Sequence, residues 1–129
     1  MKEVDESTGK KIDPPRNLSE RLLDFGAEVV KLAERLPNTI AGRRIGDQLL
    51  RSGTSAGANY EEAQAAESKK DFIHKLQQAL KELRETHYWP RLLGKADIVK
   101  GERLTGIQDE SEQLTAILSK AVITAKKNK

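Results

Sequence analysis

The stretch from residue 17 to residue 37 reads NLSERLLDFGAEVVKLAERLP and decides the fold class. Its apolar residues recur at alternating steps of four and three, the heptad spacing of a helix packed along its whole length. Asn17 and Glu20 match the capping-box pattern at a helix start, and Pro37 ends the helical pattern. We therefore predict an amphipathic helix with the seam Leu18, Leu22, Phe25, Val29, Leu32 and Leu36.

The second helical segment is expected to begin between Thr39 and Arg43, and the centre of its seam is unusual. Gly46, Gly53 and Gly57 lie on a neighbouring face, although each glycine costs a helix interior about 1 kcal/mol relative to alanine. Small residues at this spacing favour the close approach of another backbone. A loop at residues 52–54 that splits the helix is the alternative. The seam itself includes small and polar residues: Ile45, Leu49, Ser52, Ala56, Asn59, Ala63 and Ala66.

Two more segments have helical spacing. The third helix is expected to start at a capping box of Ser68 and Asp71 and to run to about Leu93. Pro90 falls inside it and is expected to kink or loosen the last turn. A loop over residues 96–101, anchored by two apolar residues, Ile98 and Val99, leads to the fourth helix. That helix carries the seam Leu104, Ile107, Ser111, Leu114, Leu118, Ala121 and Ala125.

Four such helices with short connections predict an all-α, antiparallel up-down-up-down four-helix bundle over residues 17–125. Residues 1–16 are polar and end in two prolines, so we predict a disordered arm there. Residues 126–129 form a basic tail. The low aromatic content of 4% agrees with a bundle core built from aliphatic residues, because sandwiches and barrels use more aromatic and β-branched side chains.

The composition excludes several classes of site. The chain has no cysteine, which excludes disulfides, thiolate metal sites and cysteine nucleophiles. No apolar run resembles a signal peptide or a membrane span, so we expect a cytoplasmic protein of bacterial type with no membrane partner. The formal net charge of +3 and a pI near 9.2 permit an acidic partner such as nucleic acid without requiring one.

Catalytic constellations are also missing from the sequence. A di-iron bundle needs two Glu-x-x-His pairs, whereas this chain has two histidines in all. His74 follows Asp71 at that spacing, but Asp71 is the expected cap partner, and His87 follows Arg84. Neither histidine lies in a local arrangement that would activate a serine. We therefore expect no enzyme activity, no metal and no cofactor, unless a cofactor is supplied from outside.

Helix three carries a row of residues that we call the basic stripe. Steps of four and three place its eight members on one line along the helix. The stripe holds five Lys or Arg and no acid, and it extends about 35 Å, enough to follow several phosphates of a nucleic-acid backbone. The alternative is a solvated face whose Lys and Arg suit a helix. Its members are Lys70, His74, Gln77, Lys81, Arg84, Tyr88, Arg91 and Lys95.

Two sets of candidate site residues follow. The candidate nucleic-acid contacts are Lys70, His74, Lys81, Arg84 and Arg91 of the stripe, with Arg43, Arg44 and Arg51 of helix two. The second set surrounds a seam amide, which must find partners if buried. We predict a structural polar network that fixes helix register; a ligand site is the rival interpretation. Its members are Arg51, Ser55, Asn59, Glu62 and Glu85.

These same residues carry a family resemblance. Residues 48–63, QLLRSGTSAGANYEEA, and residues 67–76, ESKKDFIHKL, resemble the four-helix bundle family encoded in intervening sequences of bacterial 23S rRNA genes. Arg51, Ser55, Asn59 and Glu62 match the family's helix-two motif, and Lys70, Phe72, Ile73 and Glu85 match helix three. The resemblance covers roughly residues 18 to 125. The chain departs from the family pattern at Pro90, which places the end of helix three in question.

The resemblance implies a bundle that assembles as a homopentamer, in a family whose function is mostly unknown. A similar bundle, the accessory variability protein of diversity-generating retroelements, joins a reverse transcriptase and binds nucleic acid through basic surfaces. We therefore expect a non-enzymatic, oligomeric accessory protein associated with RNA or DNA. The alternative is a scaffold with protein partners only, in which the glycine face of helix two and Trp89 make subunit contacts.

Overall fold

The computed structural model describes residues 3–4, 11–12 and 17–128. It contains four long helices, α1 (Asn17–Glu34), α2 (Ile40–Gln64), α3 (Lys69–Lys95) and α4 (Thr105–Lys127), with a 3-10 turn at Gly101–Arg103. Two short strands, β1 (Glu3–Val4) and β2 (Lys11–Ile12), pair antiparallel. The predicted disordered arm over residues 1–16 lies largely outside the described residues.

The four helices form the predicted four-helix bundle. Each helix contacts its neighbour in sequence, and α4 returns to contact α1, which closes the ring. The seam predicted for α1 is confirmed, because its first four members are buried and its last two pack against the core. The core is completed by aliphatic side chains from all helices, with Leu49, Ala56, Leu76, Leu83, Leu114 and Leu118 almost fully buried.

Helix α2 is continuous, so the alternative of a loop at residues 52–54 is wrong. Its N-cap is Thr39, whose hydroxyl accepts a hydrogen bond from the Gly42 amide at 3.0 Å. This start lies within the predicted range of Thr39 to Arg43. The glycine face packs on α1. A Cβ at Gly53 would lie 2.6 Å from Cγ1 of Val29, and one at Gly57 would lie 3.6 Å from the Leu22 carbonyl oxygen.

The glycines thus serve the close approach of a second backbone, as predicted, and that backbone is α1 of the same chain. The idea that the glycine face makes subunit contacts is accordingly corrected, because α1 already covers it. The seam of α2 also needs correction at one position. Tyr60 is buried at 8% exposure, whereas Asn59 is only half-buried. A straight helix turns every 3.6 residues, so a strict heptad reading drifts off the buried face along a long helix.

Helix α3 begins as predicted, with the Ser68 hydroxyl accepting from the Asp71 amide at 3.0 Å. It ends later than expected, since it continues through the buried Pro90 to Lys95. The stop is a Schellman motif: the Ile98 amide donates to the Leu93 carbonyl at 3.0 Å, and the Asp97 amide donates to Gly94 at 3.1 Å. Asp97, with φ of 59°, takes the left-handed position.

The connection from α3 to α4 is held against the bundle, as the sequence predicts. Ile98 and Val99 both pack on the core. None of the helices within the described ranges combines the length and apolar composition that crossing a bilayer requires.

Candidate nucleic-acid interface

All eight members of the basic stripe are exposed on α3. They lie along one side of the helix because α3 is continuous over its 27 residues, from Lys69 to Lys95. At 1.5 Å per residue the stripe extends about 35 Å. The buried residues of the same helix, which include Leu76, Leu83 and Leu93, point into the core and leave the stripe facing outward.

The cations of the stripe have no carboxylate at ion-pair distance in the part of the chain that the structure describes. Within residues 17–128, no ion pair involves Lys70, Lys81, Arg84, Arg91 or Lys95. The nearest acids on α3, Glu82 and Glu85, bind a different cation on α2. The stripe is therefore a row of solvated positive charges, a pattern that suits contacts to successive phosphates.

Arg51 of α2 forms ion pairs with the carboxylates of both Glu82 and Glu85. Its Nη1 donates to Glu82 Oε2 at 2.9 Å, and its Nη2 donates to Glu85 Oε2. The indole Nε1 of Trp89 donates to the same Glu85 oxygen at 3.2 Å. This cluster, which we call the Arg51 clamp, joins the middle of α2 to the C-terminal half of α3.

The clamp shifts the titration of both charged partners. Burial acts to raise the pKa of Glu85, but the hydrogen bonds from Arg51 and Trp89, helped by the positive charges of Arg51 and Lys81, outweigh it, so the pKa is lower than usual. The hydrogen bond to Glu85, helped by the charge of Glu82, raises the pKa of Arg51 despite its own desolvation. The pair is thus ionised throughout the neutral range.

The structure brings together only part of the predicted polar network. Arg51 and Glu85 meet, and Glu82 and Trp89 join them. Within the described chain, the side chains of Ser55, Asn59 and Glu62 make no hydrogen bond to the clamp. Ser55 and Asn59 are half-buried and Glu62 is exposed, so water can hydrogen-bond to these side chains in place of the clamp.

Arg51 was a candidate for both sets, and its guanidinium is engaged by carboxylates, so we assign it to the clamp. Arg43 and Arg44 are exposed, and Arg43 Nη1 donates to Asn38 Oδ1 at 2.8 Å. Because α2 and α3 are antiparallel, these two arginines lie about two helical turns from Arg51 toward the end of α3 that carries Arg91.

An aromatic pair lies beside this end of the stripe. Tyr88 is 49% exposed, and its ring meets that of Trp89 edge to face with centroids 5.1 Å apart. Trp89 is in turn fixed by its hydrogen bond to Glu85. An exposed ring held between cations can stack on an unpaired base.

One cluster was not foreseen. His87 Nδ1 lies 2.8 Å from Ser111 Oγ, across 24 residues of sequence. The Ser111 hydroxyl is also within hydrogen-bond distance of the Gln108 carbonyl oxygen, at 2.9 Å, and His87 Nε2 lies 3.6 Å from Glu112 Oε1. Ser111 is fully buried, so its contact with His87 joins α3 to α4 inside the bundle. No group of three metal-ligating side chains occurs in the described residues.

The interface can be placed against known proteins. No curated protein matches the sequence. A crystal structure of a protein with unknown function from the S23 ribosomal protein family of Bacteroides thetaiotaomicron VPI-5482 is 37% identical, with a TM-score of 0.77. The match covers 81% of this chain and 97% of that one. The model of the 23S rRNA-intervening sequence protein family matches residues 17–120. The chain therefore belongs to the 23S rRNA-intervening sequence protein family, as its sequence motifs predicted.

Proposed function

We propose that this protein is a non-enzymatic, self-associating accessory protein that binds RNA or DNA through the basic stripe of α3. One observation carries the proposal. The cations of the stripe are exposed, and within the described residues none of them forms an ion pair with a carboxylate. The Arg51 clamp supports this, because Glu82 and Glu85 form their ion pairs with Arg51 and not with a stripe cation.

The chemistry of the stripe suits the phosphate backbone more than base edges. Its length of about 35 Å spans several phosphates of a single strand, and Lys and Arg at helical steps give contacts that do not depend on sequence. Tyr88 supplies one stacking surface. We therefore expect binding that is strong at low salt, weak in sequence preference and best for unpaired strands.

Self-association is proposed through the outer face of α1 and α2. Leu23 is 67% exposed, and Val30 lies two turns further along the same side of α1. Val30 and Leu50 line one shallow cleft between α1 and α2, and Leu50 is 39% exposed. Exposed aliphatic side chains on neighbouring helices suit packing against another copy. By family resemblance we expect five copies.

The nucleic-acid proposal is tested by reversing two charges in the stripe. Fluorescence anisotropy of a labelled single-stranded RNA would be measured at several salt concentrations for the native protein and for Lys81→Glu with Arg84→Glu. We expect the double variant to bind at least about tenfold more weakly and to flatten the dependence of log K on log salt by about two units, since two phosphate contacts are lost.

The matched control reverses two exposed lysines of α4, Lys120→Glu with Lys126→Glu, which changes the net charge by the same amount. Its affinity should fall much less. Equal losses in both double variants would mean that only overall charge matters, and an affinity that does not weaken with salt would rule out phosphate binding.

The competing function, a scaffold for proteins alone, has one observation in its favour. Large apolar side chains are exposed at both ends of the bundle, with Ile40 at 75% and Ile123 at 55%. If the native protein self-associates but takes up no RNA or DNA even at low salt, the scaffold is the better account.

A further inference from the structure

A long groove runs between α1 and α4, on a side of the bundle that the basic stripe does not use. These two helices have the loosest contact of the ring. The groove has a volume of about 960 Å³ and follows α1 from Asp24 to Pro37, which is about 20 Å or three to four helical turns. Its apolar lining comes from α1, α4 and the loop before α4: Phe25, Leu32, Leu36, Ile98, Val99 and Ile107.

The charges along the groove are separated by sign. Arg35, Lys100 and Arg103 lie at the end near Pro37, and within residues 17–128 none of them forms an ion pair. Asp24 and Glu28 lie toward the other end. Glu28 is engaged only loosely, at 3.6 Å from the Lys31 amine. Lys31 lies between the two groups, and Glu110 of α4 pairs with Arg21 at 2.7 Å. The groove is therefore basic at one end and acidic at the other, with apolar side chains along its length.

This polarity is complementary to the side-chain charges that α-helices favour in their terminal turns. Helices favour acidic residues in the first turn and basic residues in the last, because the ends of the helix carry partial charges. A helix with one apolar face would place its first turn by Arg35, Lys100 and Arg103 and its last turn by Asp24 and Glu28. It would then run antiparallel to α1 and parallel to α4.

We propose that the groove between α1 and α4 binds an amphipathic helix of a partner protein, acidic in its first turn and basic in its last, as a fifth helix of the bundle. The helix inserts apolar side chains between Leu32 and Ile107, where α1 and α4 leave room. The groove is open along its length, which suits one face of a helix. The site is separate from the basic stripe, so partner protein and nucleic acid bind together.

Two stapled peptides of about 14 residues, held equally helical, test the proposal. The first has leucines along one face, acidic residues in its first turn and basic residues in its last. The second has the same composition and leucine positions with the end charges exchanged. Binding to the full chain would be followed by fluorescence anisotropy. The first peptide should bind about tenfold more tightly than the second.

Two variants locate the binding. Lys100→Glu with Arg103→Glu should remove the preference between the peptides or invert it. Gly106→Phe should block the groove without disturbing the core, because a Cβ at this exposed position meets no atom within 4 Å. The control, Lys120→Glu with Lys126→Glu, should bind the first peptide like the native protein.

The proposal is overturned if both peptides bind equally, if neither binds at millimolar concentration, or if Gly106→Phe binds as the native protein does. It is also overturned if Lys100→Glu with Arg103→Glu weakens RNA binding while leaving the peptides unaffected, because these cations would then serve nucleic acid. Loss of RNA binding in the Lys81→Glu, Arg84→Glu protein has no bearing on this groove, so the two proposals fail separately.

Discussion

At Gly53 the two backbones of α1 and α2 come closer than a larger residue allows. Val29 presents its branched side chain to this position and is itself fully buried. A β-branched side chain has few rotamers into which it can move. The absence of a Cβ at Gly53 therefore sets the distance between the helices, and it offsets the helix-propensity cost of a glycine.

We expect Gly53→Ala to lower the free energy of unfolding by roughly 1–2 kcal/mol, because overpacking exceeds the gain in helix propensity. Gly106→Ala is the matched control, since its Cβ would meet nothing within 4 Å. This control should raise stability by up to about 1 kcal/mol. Urea unfolding measures both, and a stabilised Gly53→Ala protein would contradict the close approach.

The Arg51 clamp predicts a pH dependence of stability. The pKa of Glu85 in the folded chain is below its usual value of 4.5. Its ionisation therefore contributes stability that is fully present above about pH 4.5 and is lost as pH falls through the lowered value. The contribution is small, roughly 0.5–1 kcal/mol, because Arg51 is about half exposed.

Glu85→Gln checks this by urea unfolding at a series of pH values from neutral downward. The variant should be less stable than the native protein at neutral pH, and this difference should disappear as the pH falls through the lowered pKa of Glu85. Glu67→Gln, which removes an exposed carboxylate elsewhere, is the control. A difference that persists unchanged in acid would mean that the charge of Glu85 is not the cause.

At the level of helices, periodicity predicted four elements and their inward faces. The seam of α1 and the caps at Thr39 and Ser68 depend on residues close together in the sequence, so heptad spacing and capping patterns predicted them. The position of Tyr60 was missed because the drift between 3.5 and 3.6 residues per turn accumulates along 25 residues. The contact of His87 with Ser111 depends on how α3 and α4 rotate against each other, which no local pattern contains.

The end of α3 shows how tertiary packing overrides a local rule. Pro90 removes one backbone donor, yet the helix continues because its ring is buried among core residues. The helix was expected to run to about Leu93, but the next residue, Gly94, is still helical and packs against Leu104, where an added Cβ would lie 3.3 Å from Cδ1. The left-handed stop falls on Asp97 instead.

Substitutions at Asp97 test this stop. Glycine adopts the left-handed conformation without strain, so Asp97→Gly should raise the free energy of unfolding by roughly 0.5 kcal/mol. Asp97→Val should lower it by about 1–2 kcal/mol, since a branched side chain is poorly tolerated there. If urea unfolding shows the two variants to be equally stable, the Schellman motif does not end α3.

For the whole molecule, the ring of helices keeps the proposed surfaces apart. Contacts run from α1 to α2, α3 and α4 and back to α1, so α1 and α3 occupy diagonal corners. The basic stripe on α3 therefore faces away from the apolar face of α1. The sequence could locate the stripe, because it lies on one helix. The sequence also placed Arg51 and Glu85 in one network. The parts that Glu82 and Trp89 play in the clamp, and the groove, depend on how two helices pack and appear only in the folded chain.

This separation predicts that nucleic acid binds to an assembled protein. We expect self-association to be independent of the stripe, because the residues proposed for it lie on α1 and α2 whereas the stripe lies on α3. Reversing charge on α3 should therefore affect binding and leave assembly unchanged. The alternative, in which one surface serves both purposes, predicts that both properties are lost together.

Light scattering of the protein with and without single-stranded RNA tests the account most directly. The native protein should have a mass that is a multiple, expected to be five, of its 14.4 kDa chain, and this mass should rise when RNA is added at low salt. The Lys81→Glu, Arg84→Glu protein should have the same mass without RNA and show no rise with it. A variant that dissociates, or a native protein whose mass does not change with RNA, would contradict the central claim.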